Sequence, residues 1–503
     1  MEIRLKPIAA LAVLTVATLT LSACAETAAT LATGPSARPA DKVAEKAPDK
    51  TPPKPLRAGL DPWANPDPFP STYHPGPSVP TAIVGATVLT AAGDQIDGGT
   101  VIMAEGRIVA VGKDTPVPAG TRIIDGHGKW VTPGIIDPHS HLGVYASPAV
   151  EAQSDGNEAT DPNTANVWAE HSVWPQDAGF NRALAGGVTT LQILPGSANL
   201  FGGRSVVLKN MPAETVQQMK FPGAPYGLKM ACGENPKRVY GSRGRSPATL
   251  MGNVAGYRAA WIQAADYLRK WDDYKAKIAK GEKADPPTRN LTLDTLAGVL
   301  KGEILVQNHC YRADEMAQMI DISREFGYHI AAFHHASEAY KIAPTLAREG
   351  ICVDTWAQWW GFKMESFDGI EENAAMVDHA GGCAIVHSDD EHLIQHLNVE
   401  AGTAMAAGNR AGLGISRARA IRWITANPAR SLGILDKVGT LEPGKMADVV
   451  LWTADPFSVY AQADKVFIDG ALAFDRGDPS RQPRSDFELG QPTPRDGSKG
   501  ANR

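Results

Sequence analysis

Short runs in which hydrophobic and polar residues alternate occur in two separate parts of the chain. They are residues 82–89, 99–103 and 107–112 near the start, and residues 447–452 and 465–470 near the end. Alternation of this kind, with many β-branched residues and with Gly or Asp between the runs, is typical of β-strands. Because both β-rich parts flank one long segment of different character, we predict that residues 81–131 and 437–478 fold together into a small β-sandwich domain.

Between these parts, apolar runs of strand length alternate with segments of helix-forming composition. The runs are residues 187–194, 226–231, 304–309, 329–334, 350–354 and 384–389. Repeated strand and helix units over a segment of this size are typical of a parallel barrel. We therefore predict an α/β fold in which residues 132–436 form a (β/α)8 TIM-like barrel, although the periodicity alone also fits an open sheet.

One part of the predicted barrel is longer than a single strand and helix unit needs. This insertion of about residues 235–302 contains large hydrophobic residues at helical spacing, namely Tyr257, Trp261, Leu268, Trp271 and Tyr274. We predict that residues 247–280 form an amphipathic helix that packs on the barrel. A lid that contacts the substrate is the alternative.

The first 24 residues have the pattern of an export signal. Arg4 and Lys6 precede an apolar run from Ile8 to Leu21, and the run ends in Leu-Ser-Ala-Cys24. The run is short for a membrane span, and the small residues at its end fit a cleavage site. The last four residues look like a bacterial lipobox, which predicts lipidation at Cys24. A secretory peptide without a lipid is the alternative.

The lipobox also predicts a location. Ala25 follows the cysteine, which is similar to lipoproteins sorted to the outer membrane of Gram-negative cells. We expect an exported envelope protein that faces the periplasm and touches the membrane only through its lipid anchor. Residues 25–80 are rich in Pro and Ala, so we predict a disordered linker there. We predict a disordered tail over residues 479–503.

The composition excludes one class of partner. The chain has 503 residues and a formal net charge of −6, with 49 basic and 55 acidic residues, so it lacks the basic excess that is typical of nucleic-acid binding. A small molecule or a short peptide is the expected substrate, and a homo-oligomer is compatible with this composition. No CxxC pair occurs, and we predict core residues rather than disulfide partners at Cys232, Cys310, Cys352 and Cys383.

Two histidines follow the first apolar strand of the predicted barrel. They lie in the segment Thr132-Pro-Gly-Ile-Ile-Asp-Pro-His-Ser-His-Leu142. Residues two apart in a strand point to the same side, so the imidazoles of His139 and His141 can share one cation.

Further candidate metal ligands end three other predicted strands. They are His309, either His334 or His335, and Asp389. Functional sites of this fold lie where the strands end, so these side chains should meet the first two histidines. A set of imidazoles and one carboxylate suits Zn²⁺ or a similar divalent ion.

With these residues, the chain resembles the amidohydrolase superfamily, and within it the imidazolonepropionases and bacterial prolidase-type enzymes. The resemblance extends from about Ala82 to Gly470. Its most specific motifs are Val131-Thr-Pro-Gly-Ile-Ile-Asp-Pro-His-Ser-His141, Ala185-Gly-Gly-Val-Thr-Thr190, Thr425-Ala-Asn-Pro-Ala-Arg430 and Gly439-Thr-Leu-Glu-Pro-Gly-Lys-Met-Ala-Asp448. The resemblance implies a barrel hydrolase that binds one or two divalent ions, with Zn²⁺ as the first candidate.

The resemblance also implies metal roles for matching positions. It implies two pairs of metal-binding histidines, His139 and His141 at the more buried ion and His309 and His335 at the more exposed one. Asp389 would bind metal and move a proton. His335 is preferred to His334 because residues 335–341 resemble the sixth-strand pattern of the family, although adjacent histidines leave the choice open.

The fourth strand offers two candidate ligands. Residues Leu228-Lys-Met-Ala231 resemble strands in which a lysine reacts with CO2 to form a carbamate that bridges two ions, which would make Lys229 a carboxylated lysine. The chain then departs from the common pattern, so Glu234 could supply the bridging carboxylate instead. A surface or salt-bridged Lys229 is the structural alternative, and without either bridge the centre is mononuclear.

Tyr311 and Arg312 are the candidate substrate-binding residues. They follow His309 closely, and a guanidinium can bind a carboxylate through two hydrogen bonds. A tyrosine near this place in related peptidases resembles such a role. A surface salt bridge of Arg312 is the alternative.

Together these features predict a metal-dependent hydrolase that cleaves an amide C–N bond in a dipeptide or an N-acyl amino acid. Water bound to a suitable metal has a pKa of about 7, and Asp389 would accept its proton and pass it to the leaving nitrogen. The alternatives are a cyclic amide hydrolase of the imidazolone type and a non-catalytic envelope lipoprotein that uses the barrel for binding.

Overall fold

A computed structural model describes residues 56–481 of the chain, except residues 148 and 360. The predicted signal peptide, the lipidation site at Cys24, the first part of the predicted linker and the end of the predicted tail lie outside the described residues. None of the helices in the described range combines the length and the apolar character that a membrane crossing requires.

The strands of the described range follow one another as β1 (Thr81–Leu89), β2 (Gln95–Ala104), β3 (Arg107–Lys113), β4 (Arg122–Asp125), β5 (Trp130–Pro133), β6 (Ile135–Ser140), β7 (Val188–Ile193), β8 (Phe201–Lys209), β9 (Gly227–Ala231), β10 (Leu305–Cys310), β11 (Ile330–His335), β12 (Cys352–Thr355), β13 (Cys383–Val386), β14 (Val449–Trp452), β15 (Ala463–Ile468) and β16 (Ala471–Asp475). The α-helices are α1 (Ala178–Ala185), α2 (Val216–Met219), α3 (Glu234–Gly241), α4 (Leu250–Ala279), α5 (Leu291–Leu300), α6 (Ala313–Phe326), α7 (Ala343–Glu349), α8 (Asn373–His379), α9 (Leu397–Arg410), α10 (Arg417–Ala420) and α11 (Ala426–Ser431).

The strands before and after the barrel segment share one sheet. Its order is β16-β15-β14-β5-β1-β2-β3, and β4 pairs with β1. β14 from the end of the chain lies antiparallel to β5, with Val450 opposite Thr132 and Trp452 opposite Trp130. A separate core of apolar side chains, among them Val88, lies on this sheet. The two β-rich parts therefore come together as predicted, whereas the sandwich arrangement itself stays a prediction.

The other sheet of the described range runs in sequence order from β6 to β13 and is almost closed into a barrel. Its two ends meet where the backbone N–H of Asp389 donates to the carbonyl of His139 over 2.9 Å. Beside this contact, the N–H of Ser388 donates to Oδ1 of Asp137 over 3.2 Å. The fold is thus TIM-barrel-like, as predicted.

One barrel strand departs from the predicted (β/α)8 pattern. β8 lies antiparallel to both β7 and β9, whereas β9 to β13 are parallel. No strand is predicted over residues 201–209, because Phe201-Gly-Gly-Arg204 does not have the composition of a buried strand. In the structure every residue of β8 is buried.

The insertion contains the predicted amphipathic helix. α4 spans 30 residues and begins after Thr249, whose side chain accepts a hydrogen bond from the N–H of Gly252. Tyr257, Trp261 and Trp271 are almost fully buried. Tyr257 and Trp261 belong to the barrel core, whereas Trp271 packs in a smaller cluster with Ala297 of α5. The prediction of a helix that packs on the barrel is confirmed.

The predicted linker is too long at its C-terminal end. Residues 56–80 lie on the barrel and form specific contacts. The ammonium group of Lys220 lies 2.9 Å from Oδ1 of Asp67, and the hydroxyl of Tyr73 donates to Oδ2 of Asp469 over 2.5 Å. A Pro-rich composition gives no warning of such contacts, because each depends on a partner that is distant in sequence.

The prediction for the cysteines is wrong. Cys232 is bonded to Cys310, and Cys352 is bonded to Cys383. The partners lie 78 and 31 residues apart in sequence, and neighbouring barrel strands bring them together. Each cysteine is buried, as predicted, but it is also covalently paired.

Candidate metal centre

A tight turn leads the chain from the small sheet into β6. The N–H of Gly134 donates to the carbonyl of Asp448 over 2.8 Å. A Cβ atom at Gly134 would lie only 2.0 Å from Oγ1 of Thr189, so a side chain cannot be accommodated there. The Pro-Gly turn of the motif thus fixes the start of β6 and, five residues later, the position of His139.

The carboxylate of Asp389 lies beside both histidines of the motif. Its Oδ1 atom is 3.3 Å from Nε2 of His139 and 3.1 Å from Nε2 of His141. The other ring nitrogen of His141, Nδ1, lies 2.8 Å from the carbonyl of Leu194. A hydrogen bond to that carbonyl would leave Nε2 of His141 without a proton and free to bind a cation.

Lys229 on β9 approaches the same ring nitrogen of His139 as Asp389 does. Its Nζ atom lies 3.1 Å from Nε2 of His139, and the side chain is almost fully buried. Burial lowers the pKa of Lys229 to about 8. This geometry contradicts the alternative of a surface lysine.

His309 and His335 add two imidazoles with unsatisfied nitrogens. Both rings are buried, and their centroids lie 4.5 Å apart. Neither nitrogen of His309 has a hydrogen-bond partner among the described residues, nor does Nδ1 of His335. The 3.8 Å between Nδ1 of His335 and Oδ2 of Asp389 is too long for a hydrogen bond.

These residues fit a divalent cation. Ligand atoms of His139, His335 and Asp389 all lie within 4.8 Å of one another. A buried imidazole that lacks a hydrogen-bond partner is destabilising, and a metal ion bound there removes that cost. Nitrogen and carboxylate ligands in this number are the donors that Zn²⁺ prefers.

Burial keeps the imidazoles neutral. It lowers the pKa of His139, His309 and His335 well below the ordinary histidine value. A neutral imidazole has the free electron pair that a metal ligand needs. Burial opposes the ionisation of Asp389, whereas a positive charge beside it, on His335, His141 or Lys229, would hold the pKa of that carboxyl well below its ordinary value.

The adjacent residues His334 and His335 both approach His139. The ring centroid of His139 lies 4.7 Å from each of the other two. Successive side chains of a strand normally point to opposite faces, but the φ angle of His335 is 69°, which breaks the alternation. Asp389 also has a positive φ angle, 57°. Such strain at non-glycine residues is concentrated at functional sites.

The ring of His334 contacts His139 and two further polar side chains. Its Nδ1 atom is 2.8 Å from Nδ1 of His139 and 3.0 Å from Oδ2 of Asp354. Its Nε2 atom is 2.8 Å from Oε1 of Gln307. His335 rather than His334 is therefore the residue grouped with Asp389, and His334 supports the ring of His139.

Sequence reasoning gave no role to His387, Asp354 or Gln307. His387 is buried, and burial lowers its pKa to about 4; its Nε2 atom accepts a hydrogen bond from the N–H of His335 over 3.2 Å. Its spacing of two residues from Asp389 could have suggested it, by the reasoning that joined His139 and His141. Asp354 ends the predicted strand run 350–354 and Gln307 lies two residues before His309, so the same kind of signal was present for both.

The remaining predicted site residues divide into near and distant ones. Tyr311 is buried, and its ring stacks on His335 with a centroid distance of 5.1 Å. The guanidinium of Arg312 pairs with Asp314 at the surface over 3.0 Å, as in the alternative considered for it. Glu234 belongs to none of the metal-type groups found among the described residues. Its carboxylate lies 3.5 Å from the ammonium group of Lys363.

The chain matches a known protein family. The sequence pattern of the amidohydrolase family matches residues 130–473, which is more than half of the chain. The chain belongs to the amidohydrolase family.

Three relatives illustrate the match. Amidohydrolase tasK of Hapsidospora irregularis is 33% identical over 397 residues, which cover 75% of this chain but only 40% of that protein. The imidazolonepropionase of Sphingopyxis alaskensis is 24% identical over 412 residues, which cover 74% of this chain and 91% of that enzyme. The crystal structure of an amidohydrolase from Thermotoga maritima is 34% identical with a TM-score of 0.72, and the match covers 79% of this chain and 100% of that one. These matches support a hydrolase that acts on carbon–nitrogen bonds and a TIM-barrel-like fold.

Proposed function

We propose that this amidohydrolase uses one or two divalent metal ions, Zn²⁺ before others, to hydrolyse the amide bond of a dipeptide or an N-acyl amino acid. The observation that carries the proposal is the pair of buried imidazoles of His309 and His335, which have nitrogens without hydrogen-bond partners among the described residues. Each such group costs about 1–3 kcal/mol when it stays unpaired. Metal binding removes this cost.

The proposed ligands come from five strand ends. They are His139, His141, Lys229, His309, His335 and Asp389. Lys229 would act as a carbamate, because a neutral amine adds CO2 and the product resembles a carboxylate. Burial favours the neutral amine by lowering the pKa of Lys229 to about 8. Glu234 is a weaker candidate for the bridge, since its carboxylate already faces Lys363.

Asp389 is the proposed proton carrier. When bound, a divalent ion would activate water and polarise the scissile carbonyl. The carboxylate of Asp389 stands beside His139 and His141 and is ionised, so it can accept the proton of the attacking water. It would then donate this proton to the leaving nitrogen, which departs poorly as an anion.

Tyr311 and Arg312 bear on the substrate class. The hydroxyl-bearing ring of Tyr311 stacks on His335 and can contact a bound substrate, whereas Arg312 is engaged with Asp314. A cyclic amide of the imidazolone type is the second candidate, because the chain is similar to an imidazolonepropionase over 91% of that enzyme. A non-catalytic binding lipoprotein is disfavoured by the intact donor set.

We further propose that the protein is an exported lipoprotein of the outer membrane that faces the periplasm. The lipobox-like sequence that ends in Cys24 supports this location. The disulfides Cys232–Cys310 and Cys352–Cys383 also support it, because disulfides persist mainly in oxidising compartments. We expect that only detergent releases the protein from membranes. Mass spectrometry should detect a lipid on Cys24.

The test of the function is a substrate screen with the purified protein. We expect turnover of a dipeptide or an N-acyl amino acid, detected by release of the free amine. Treatment with a chelator should abolish turnover, and Zn²⁺ should restore it, because the proposed chemistry needs the ion. Hydrolysis confined to cyclic amides would favour the second candidate. Full turnover after complete removal of metal would contradict the proposal.

A further inference from the structure

Exposed apolar side chains are concentrated in the segment that follows β12. Trp359 is 36% exposed, Phe362 is 55% exposed and Met364 is 81% exposed. Single exposed apolar residues are common on proteins, whereas a contiguous group of them usually marks a recognition surface. This group requires an explanation that the ligands of the candidate metal centre do not supply.

The aromatic rings continue from the metal centre to the surface. Trp356 is buried and stacks on His335, with ring centroids 4.6 Å apart and planes inclined by 20°. The ring centroid of Trp359 lies 5.2 Å from that of Trp356, and the ring centroid of Phe362 lies 6.0 Å from that of Trp356. Trp359 and Phe362 are in turn 6.1 Å apart. The buried ring of Trp356 therefore lies between the exposed rings and His335, a proposed metal ligand.

The start of this segment is held in place. The indole N–H of Trp356 donates to the carbonyl of Ser388 over 2.9 Å. The backbone N–H groups of Ala357 and Gln358 both donate to one carboxylate oxygen of the buried Glu400, over 2.7 and 2.8 Å. A surface that is already ordered loses little entropy when a ligand binds.

Charge does not dominate this surface. Lys363, which follows Phe362 in the chain, has its ammonium group 4.0 Å from the ring centroid of Tyr311. Its ammonium group is 3.3 Å from Glu365 and 3.5 Å from Glu234, so its charge is compensated within the protein. An apolar group of the ligand is therefore the better complement.

We propose that Trp359 and Phe362 form a specificity wall that binds an aromatic or large aliphatic group of the substrate next to the scissile amide. This inference rests on the proposed amide hydrolysis and narrows its substrate class. Aromatic side chains at a site mouth bind such groups by burying apolar surface and by ring stacking. Substrates with only small groups would leave the wall in water.

The test compares three amides with the purified full chain. N-acetylglycine carries no large apolar group, N-acetyl-L-phenylalanine carries a ring on the amine side, and N-phenylacetylglycine carries one on the acyl side. For at least one of the two aromatic substrates, kcat/KM should exceed the value for N-acetylglycine by about tenfold or more. In the double variant Trp359→Ala/Phe362→Ala this ratio should fall by about tenfold, mainly through KM.

Tyr460→Ala is the matched control, because Tyr460 is an aromatic residue that is 87% exposed and belongs to no part of the proposed site. Its substrate ratio should equal that of the wild type. An unchanged ratio in the double variant, or the absence of any aromatic preference in the wild type, would overturn the inference while amide hydrolysis stands. If the double variant loses binding to lipid vesicles while its substrate ratio stays unchanged, the two rings bind a membrane surface. That result would also overturn the inference.

Binding measurements separate this inference from the proposed function. The same three ligands are titrated calorimetrically into Asp389→Asn protein, which lacks the proposed proton carrier. Tighter binding of an aromatic ligand by about tenfold, lost on adding Trp359→Ala and Phe362→Ala, would support the wall even if the wild type hydrolyses none of the amides. Equal binding of all three ligands would refute it.

Discussion

His139→Ala is expected to abolish turnover while the barrel stays folded. His139 contacts Lys229, Asp389 and His334, so its loss removes a proposed ligand and the support of its neighbours. Changes to groups that only support a metal ligand lower activity by about 10-fold to 100-fold, and loss of the ligand itself should exceed that range. β6 still pairs with β7 through its backbone.

The measurement is kcat/KM on the best substrate of the screen, with circular dichroism to verify folding. His127→Ala is the control, since the side chain of His127 is 77% exposed and pairs only with Asp125 in the small sheet. The control should keep full activity. Retained turnover in His139→Ala, with the metal still bound, would show that the centre is assigned to the wrong residues.

Lys229→Ala should lose most of the turnover and should bind less metal per chain, because the bridging ligand is missing. Acetate or propionate in the buffer should restore part of the activity, since the shorter side chain leaves room for a carboxylate where the carbamate would lie. The expected loss is again more than about a hundredfold. Metal analysis and a titration of activity against acetate concentration test this prediction.

The rescue has a built-in control. His139→Ala removes an imidazole rather than a carboxylate-like ligand, so acetate should not restore its activity. Full activity of Lys229→Ala without acetate would exclude Lys229 as a bridge. Such a result would favour Glu234 as the bridging ligand or a centre with a single metal ion.

Much of this centre could be predicted from the sequence, because strand ends carry it. Side chains two apart on a strand share a face, which joined His139 to His141. The strands that end at His309 and Asp389 are apolar runs with clear limits, and the barrel brings strand ends together. The structure places Asp389 beside His139 and His141, and it places His309 beside His335.

Other features depend on contacts that no local pattern shows. β8 was missed because its two glycines and Arg204 do not look like a buried strand, although Nε of Arg204 donates to the hydroxyl of Thr295 over 2.8 Å. The two disulfides depend on which strands are neighbours. The approach of both His334 and His335 to His139 depends on a left-handed backbone conformation, which a non-glycine residue adopts only under constraint.

The central claim is that imidazoles and one carboxylate, far apart in sequence, bind a cation where the barrel strands end. The most direct test is the metal content of the purified wild-type protein, measured by elemental mass spectrometry together with turnover before and after chelation. We expect about one or two equivalents of a divalent ion per chain, and removal of the ion should remove the activity. Full turnover from protein that carries no divalent ion would contradict it.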